Sequence, residues 1–449
     1  MGIQIFNTPD LDAPKDWEQL LHSVQPHQNV GVVEQVVGVM IEARGLSAKL
    51  GDLCEIHTGN DFEPILRAEV VGFKENRLLL MPLGEMNHIA PGYRVFNTGS
   101  RFQVPVGPEL QGRILDGLGS PIDDRYPISG RTKFRVDSRA PHPLKRKEIK
   151  EPIYMGVKAI DGFITIGRGQ RVGIFAGSGV GKSTTLGMIA RNTEADISVI
   201  ALIGERGREV QDFIEHSLGP EGLKRSVIVV ATSDQPALTK IKASLVATSI
   251  AEYFRKEGRD VLLMMDSVTR VAMALREIGL AVGEPPTTKG YTPSVFAFLP
   301  KLLERAGMSD TGSITGLYTV LVEGDDFNEP VSDTVRGLLD GHILLTRELA
   351  EQNHFPAIDV LRSVSRLMPH ITHPDHQQLI GKVKELLSLY AKNEDLINIG
   401  AYVQGSNPKV DLAVGLKDTI DSVLRQSIQD QVTPKELHQN LLQLAQAIG

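Results

Sequence analysis

Apolar positions along the chain follow three rhythms. From residue 27 to 98, short aliphatic runs alternate with glycines: Gly31–Ile41, Leu53–His57, Ala68–Phe73, Arg77–Met81 and Arg94–Phe96. Short strands separated by turn residues predict a small barrel or sandwich. From about 153 to 350 the runs become longer and mainly apolar, at Arg171–Phe175, Ile197–Ile203, Ser226–Ala231, Val261–Met265, Ile314–Val322 and His342–Leu345. Helical patterns separate them, which predicts an α/β domain on a largely parallel sheet. Past about 370 the strand signals vanish. Gln377–Lys392 and Asp411–Val432 predict helices, and Pro434 stands near the start of a last one.

Two connecting regions have their own character. Residues 1–26 are polar and punctuated by proline, with one apolar stripe of Trp17, Leu20, Leu21 and Val24 at helical spacing. So short a helix is marginal alone, and it either packs back on its own chain or docks a partner. Asp116–Pro121 is a turn cluster, and Pro141–Pro152 carries Lys145, Arg146, Lys147 and Lys150 as a solvated connector. The expected division is a docking segment (1–26), a β domain (27–98), a linker with a nucleotide domain (99–370) and a helical domain (371–449).

Composition narrows the class. The chain has 449 residues, 41% hydrophobic and 23% charged, the balance of an ordinary multidomain globular protein. No apolar run approaches the roughly 18 residues of a membrane helix. The opening Met-Gly-Ile-Gln has no basic and apolar leader pattern, so no secretory signal is expected. A single cysteine, Cys54, fits a reducing cytoplasm. Net charge is −7 and aromatics are 5%, so neither the basic footprint nor the stacking surface of a nucleic-acid binder is expected.

The strongest chemical signal is Ala176-Gly177-Ser178-Gly179-Val180-Gly181-Lys182-Ser183, between a strand and a helix. That is the context of a P-loop, whose glycines let backbone N–H groups converge on a polyphosphate. Lys182 is expected at the β and γ phosphates, and Ser183 on Mg²⁺. Thr184 comes next and is counted with the nucleotide-binding residues. Ala176 stands where the pattern has glycine, a small steric change. Asp266 ends an apolar strand about 80 residues later and is the candidate Walker-B acid for Mg²⁺. Gly204-Glu205-Arg206-Gly207-Arg208-Glu209 comes directly after another strand. Glu205 is the candidate for orienting or deprotonating the attacking water. Arg206 and Arg270 are candidate phosphate-side cations, or salt-bridge partners of Glu209 and Glu277. Arg362 and Arg366 are candidates for a cation supplied in trans. The cluster His370, His373 and His376 is expected to be a solvated turn rather than a metal site, because Pro374 breaks the helix that would align it.

Several runs together resemble the ATPases of the F-type and V-type rotary superfamily: Gly177–Ser183, Gly204–Glu209, Leu262–Arg270, Gly283–Tyr291, Gly312–Thr315 and Ser363–Arg366. Phe175–Thr185, GERGREV and SVFAFLPKLLERAG (Ser294–Gly307) are similar to the flagellum-specific ATPases of type III protein export. The resemblance covers residues 27–449. It implies an N-terminal β-barrel, a central RecA-like P-loop domain and a helical C-terminal domain, arranged as a homohexamer. It also implies ATP and Mg²⁺ as ligands, Lys182 and Ser183 on phosphate and metal, Glu205 as catalytic carboxylate and Arg366 as the finger into the next subunit. Phe355 falls where the family stacks an aromatic ring on adenine, the alternative being a core residue. Tyr402 falls where a second ring closes on the base. The implied partners are a regulatory export protein at the N-terminus, a central stalk-like protein, export-gate membrane proteins and chaperone–substrate complexes. The implied place is the cytoplasmic face of the cell membrane.

The rivals are a virulence secretion ATPase, a catalytic subunit of a rotary ATP synthase, and a non-catalytic nucleotide-binding subunit. GERGREV and Ser294–Gly307 favour export over synthesis. A non-catalytic subunit is expected to lack the carboxylate that Glu205 supplies. A hexameric RNA translocase would need a basic, aromatic-bearing N-terminal domain, which this chain lacks.

Overall fold

A computed structural model describes residues 30–58, 63–126, 128, 132–322, 326–327 and 329–448. The Trp17 stripe lies outside the described residues. Two compact units divide between Arg101 and Phe102.

The first unit is a closed antiparallel barrel of β1 (Val30–Val37), β2 (Met40–Arg44), β3 (Asp52–His57), β4 (Leu66–Lys74), β5 (Arg77–Pro82) and β6 (Arg94–Arg101). Its order is β1-β2-β5-β4-β3-β6, and β6 returns to pair with β1. The run Gly31–Ile41 is two strands rather than one: Gly38 takes φ 58° and turns it into a hairpin. Alternation along β4 points Leu66, Ala68 and Val70 inward onto Val33, Ile41, Ile56, Leu80 and Val95. Closure leaves no free edge, so the barrel holds and the sandwich does not. Cys54 sits in this core, where burial pushes its thiol up to about 12, a packing residue and not a nucleophile.

The second unit begins with β7 (Gln103–Val106), β8 (Ile114–Asp116) and β9 (Thr132–Arg135). β7 and β9 pair with each other, whereas β8 joins the main sheet. That sheet continues with β10 (Arg171–Ala176), β11 (Ile197–Ile203), β12 (Ser226–Ala231), β13 (Asp260–Asp266), β14 (Gly307–Met308), β15 (Ser313–Leu321), β16 (Gly341–Leu345) and β17 (Val364–Ser365). Its order is β17-β16-β10-β15-β13-β11-β12-β8, parallel from β16 through β8, with β14 and β17 antiparallel additions. Both faces are covered. Ile200 and Leu202 of β11 face one core, and Val199, Ala201 and Ile203 face the other. Burial on two faces is why the strand is apolar on both sides instead of alternating with polar residues, Ser198 apart.

The helices are α1 (Lys158–Phe163), α2 (Lys182–Asn192), α3 (Gly207–Asp212), α4 (Gly219–Lys224), α5 (Ala237–Lys256), α6 (Val268–Ala281), α7 (Pro293–Leu303), α8 (Pro330–Leu338), α9 (Arg347–Glu351) and α10 (Met368–Ile371). α11 (Pro374–Asn398), α12 (Pro408–Leu424) and α13 (Pro434–Ile448) close the chain, and their Val383, Ile420 and Leu441 join one sheet core. Two expectations are corrected here. Pro374 opens α11 instead of breaking a helix, because the first helical position needs no N–H donor and His373 caps it. α12 stops at Leu424, well short of Val432. There Gln426 leaves the helical path and is buried, its side chain accepting from Lys158 N–H at 2.9 Å and donating to Gly156 O at 2.9 Å.

One buried ion pair braces the sheet's second face. Arg305, 2% exposed, donates to both oxygens of Glu252 at 2.8 and 2.7 Å, to Ser249 Oγ at 2.9 Å and to Val136 O at 2.7 Å. Glu252→Ala strands a buried guanidinium and is expected to cost about 3–5 kcal/mol of stability. Denaturant titration checks this; a loss below about 1 kcal/mol would show that Arg305 finds other partners.

Candidate functional site

The strands deliver their C-terminal ends to one crevice, where parallel α/β sheets bind ligands. Ala176 of β10 pairs with Leu321 of β15 on one side and Leu345 of β16 on the other. Asp266 of β13 pairs with Leu202 of β11. The loops leaving these strands therefore surround a single cleft of about 670 Å³. Gly177, Ser178, Gly179, Gly181, Lys182, Ser183, Thr184, Glu205 and Arg206 all line it.

The loop after β10 is shaped by its glycines. Gly179 and Gly181 take φ of 80° and 87°, left-handed values that let the backbone coil around an anion. Gly181 caps α2, and Val180 turns inward as an anchor, 1% exposed. Gly204, at φ 75°, serves the neighbouring loop: a Cβ there would lie 2.7 Å from Arg270 Cγ. This close approach packs the Arg270 stem on Gly204, and Ser233 N–H donates to Glu205 O at 2.9 Å to hold the loop.

Lys182 Nζ bridges two carboxylates, at 2.5 Å from Asp266 Oδ1 and 3.4 Å from Glu205 Oε1. Asp266 is 3% exposed and also accepts from Thr319 Oγ1 at 2.7 Å. Burial alone pulls the Lys182 ammonium down, but the carboxylates of Asp266 and Glu205 outweigh it and hold its pKa above the usual lysine value. Burial pushes Glu205 up to about 7; Lys182 opposes this, while Asp266 and a hydrogen bond with Glu209 add to it. That same bond, with Arg206 nearby, holds Glu209 below the usual carboxylate range. The cleft thus holds a carboxyl group poised near neutrality.

The remaining sequence candidates fall in different places. Arg206 is exposed and pairs with Glu209 at 3.4 Å. Arg270 does not pair with Glu277; its Nε is buried without a partner. Phe355, 41% exposed, has ring carbons 3.7 Å from where a Gly181 Cβ would stand, so it flanks the phosphate loop instead of filling the core. Gln426 N–H donates to its carbonyl at 3.0 Å. Tyr402 is not among the residues lining the cleft. It lies in the α11–α12 connection, where its hydroxyl bonds Asp411 Oδ1 at 3.0 Å and Asn407 O at 3.1 Å. Arg366 comes just after the edge strand β17, exposed and outside the cleft lining. Arg362 lies over the Phe327 ring at 5.3 Å. Arg347 and Ser233 line the cleft but carry no motif, so sequence reasoning passed over both.

Metal chemistry fits the donors present. Ser183 and Asp266 offer hard oxygen atoms, the kind Mg²⁺ takes, with most of its shell left to phosphates and water. Among the described residues no group of three or more His, Cys, Asp or Glu is arranged to hold a metal by itself, and this includes the His370–His376 cluster.

Comparison with known proteins agrees with this geometry. Residues 156–365 match the nucleotide-binding domain of the ATP synthase alpha/beta family, residues 33–99 its beta-barrel domain, and residues 372–443 the T3SS EscN ATPase C-terminal domain. The flagellum-specific ATP synthase of Bacillus subtilis (strain 168) is 53% identical, covering 94% of this chain and 96% of the relative. The type 3 secretion system ATPase of Xanthomonas euvesicatoria is 49% identical over 99% of each. The assembled ATPase EscN of the enteropathogenic E. coli type III secretion system superposes with a TM-score of 0.86 at 44% identity, covering 93% of this chain and all of that one. A second structure, EscN with its central stalk EscO, gives 0.85.

Fold and site together define a nucleotide-binding P-loop ATPase with a barrel, a parallel-sheet domain and a helical domain. The chain belongs to the ATP synthase alpha/beta family, among the flagellum-specific and type III secretion ATPases. A rotary synthase subunit and a non-catalytic module are thereby set aside in favour of an export ATPase. No helix among the described residues is long and apolar enough to cross a membrane.

Proposed function

We propose that this chain hydrolyses Mg²⁺-bound ATP in a homohexameric ring that serves flagellar type III protein export. The observation that carries this reading is the contact of Lys182, from the loop after β10, with both Glu205, after β11, and Asp266, at the end of β13. Phosphate charge, water activation and metal binding then meet at one end of the cleft. Mg²⁺, held through Ser183 and the water-mediated reach of Asp266, would neutralise charge on the β and γ oxygens. Lys182 meets those same oxygens. Glu205 orients the attacking water and accepts its proton at a carboxylate oxygen, as the bond from the γ phosphorus to the bridging oxygen breaks. Arg270 and Arg206 lie on the phosphate side, and Phe355 receives the adenine face.

Arg366 is the candidate finger for a neighbouring subunit, because its own fold turns it away from its own cleft. The assembled state of EscN, and its complex with the central stalk EscO, support a ring with a stalk-like partner here. The identity to flagellum-specific relatives supports the flagellar setting. Docking of residues 1–26 to a regulatory protein, loading of chaperone–substrate complexes and association with the export gate at the membrane's inner face complete the proposal.

The test is nucleotide binding. Lys182→Ala is expected to weaken the affinity for a fluorescent ATP analogue by about 10–100-fold, the scale of hydrogen bonds to charged groups. It also leaves Asp266 and Glu205 facing one another without a counter-charge, which compounds the loss. Unchanged affinity together with unchanged turnover would overturn the site.

A further inference from the structure

The cleft carries one cation that has no part in the chemistry described so far. Arg347 opens α9, immediately after β16, and lines the cleft beside the phosphate loop. The other cations there already figure in the site described above. Lys182 bridges Asp266 and Glu205, Arg206 pairs with Glu209, and the Arg270 stem is packed against Gly204. The Arg347 side chain is exposed and has no hydrogen bond or ion pair with any described residue.

Sheet register places it. Leu345 pairs with Ala176, so Arg347 rises two residues beyond the row from which Gly177 and Ser178 also rise. The strand order is β16, β10, β15, β13, β11. Arg347 therefore stands on one side of the phosphate loop, and Asp266 and Glu205 stand on the other. Phe355, four residues past the end of α9, lies against Gly181. A nucleotide with its γ phosphate at Glu205 and its base at Phe355 presents its α phosphate and ribose towards the β16 exit.

We propose that Arg347 is a nucleotide-contacting residue that recognises the α-phosphate end, common to ATP and ADP. This rests on the cleft being a nucleotide site. Its guanidinium supplies forked donors to phosphate oxygens that do not change during hydrolysis. A contact equally strong in the ground state and the transition state lowers KM without raising kcat.

The experiment measures ATP and ADP binding, and steady-state hydrolysis, for wild type, Arg347→Ala and Arg347→Lys. Arg347→Ala is expected to weaken both nucleotides by the same factor, about tenfold, and to raise KM to match while kcat stays within about twofold. Arg347→Lys is expected to recover part of the affinity, because it keeps the charge and loses the fork. Because the side chain is exposed, the variant should fold, which circular dichroism verifies. Unchanged affinity for both nucleotides overturns the proposal. A fall in kcat alone, or weaker assembly with intact binding, does so too and assigns Arg347 to the reaction end or to a subunit contact. Failure of the wild type to bind either nucleotide would sink the underlying site reading instead, so the two failures are distinguishable.

Discussion

Arg366→Ala is expected to lower kcat by about 10³-fold or more while the protein still assembles and binds ATP, the scale of an arginine supplied in trans. The geometry explains the separation of effects. β17 is one edge strand of the sheet, and Arg366 leaves it exposed, its backbone N–H donating to Asp340 O at 3.0 Å. Nothing in its own cleft changes when the side chain is removed. If a neighbour's nucleotide is its target, wild-type specific activity should also rise steeply with protein concentration. Mixing Arg366→Ala with Glu205→Gln sharpens the test. An intact interface needs Glu205 from one chain and Arg366 from the next, and equal random mixing makes about one interface in four intact. Activity should return in the mixture. Full activity of Arg366→Ala alone would end the finger assignment.

Glu205→Gln is expected to reduce kcat by about 10²–10⁴-fold, the contribution of a positioned acid–base group, while retaining ATP affinity. Glutamine keeps the shape and the approach to Lys182 but cannot take a proton. The pH profile gives an independent check. With its pKa pushed up to about 7, Glu205 is the protonated, inactive form below neutrality and the carboxylate above it. kcat/KM should therefore fall as pH drops through 7, by about tenfold between pH 8 and pH 6, because kcat/KM reports the free enzyme's groups. The residual activity of Glu205→Gln should lack that acid limb. A limb that persists unchanged in the variant would assign the titration to another group.

Most of the elements were legible because their signals are local. Strands β11 and β12 match the expected runs residue for residue, since a strand covered on both faces is apolar at nearly every position, Ser198 and Ser226 being the buried exceptions. The helix boundaries were less so. Pro374 reads as a breaker or as a first-turn residue depending on the cap before it, and α12 ends early because Gln426 satisfies groups on a segment 270 residues away.

What the sequence by itself determined is the chemistry that depends on neighbours along the chain. The phosphate loop needs glycines at fixed offsets between a strand and a helix, so Gly177–Ser183 announces itself, and so does an acid ending an apolar strand at Asp266. The tertiary structure alone decided what depends on strand order and register. It closed the barrel, brought Lys182 onto Asp266 and Glu205, and set Phe355 against Gly181. It held Tyr402 on Asp411, outside the cleft lining, and carried Arg347 into that lining from just after a strand with no motif. It also raised Glu205 towards neutrality. The physical reason is that burial and pairing are properties of a packed site. A carboxylate's proton affinity is set by the groups the fold places around it, and residue spacing in one dimension does not specify them.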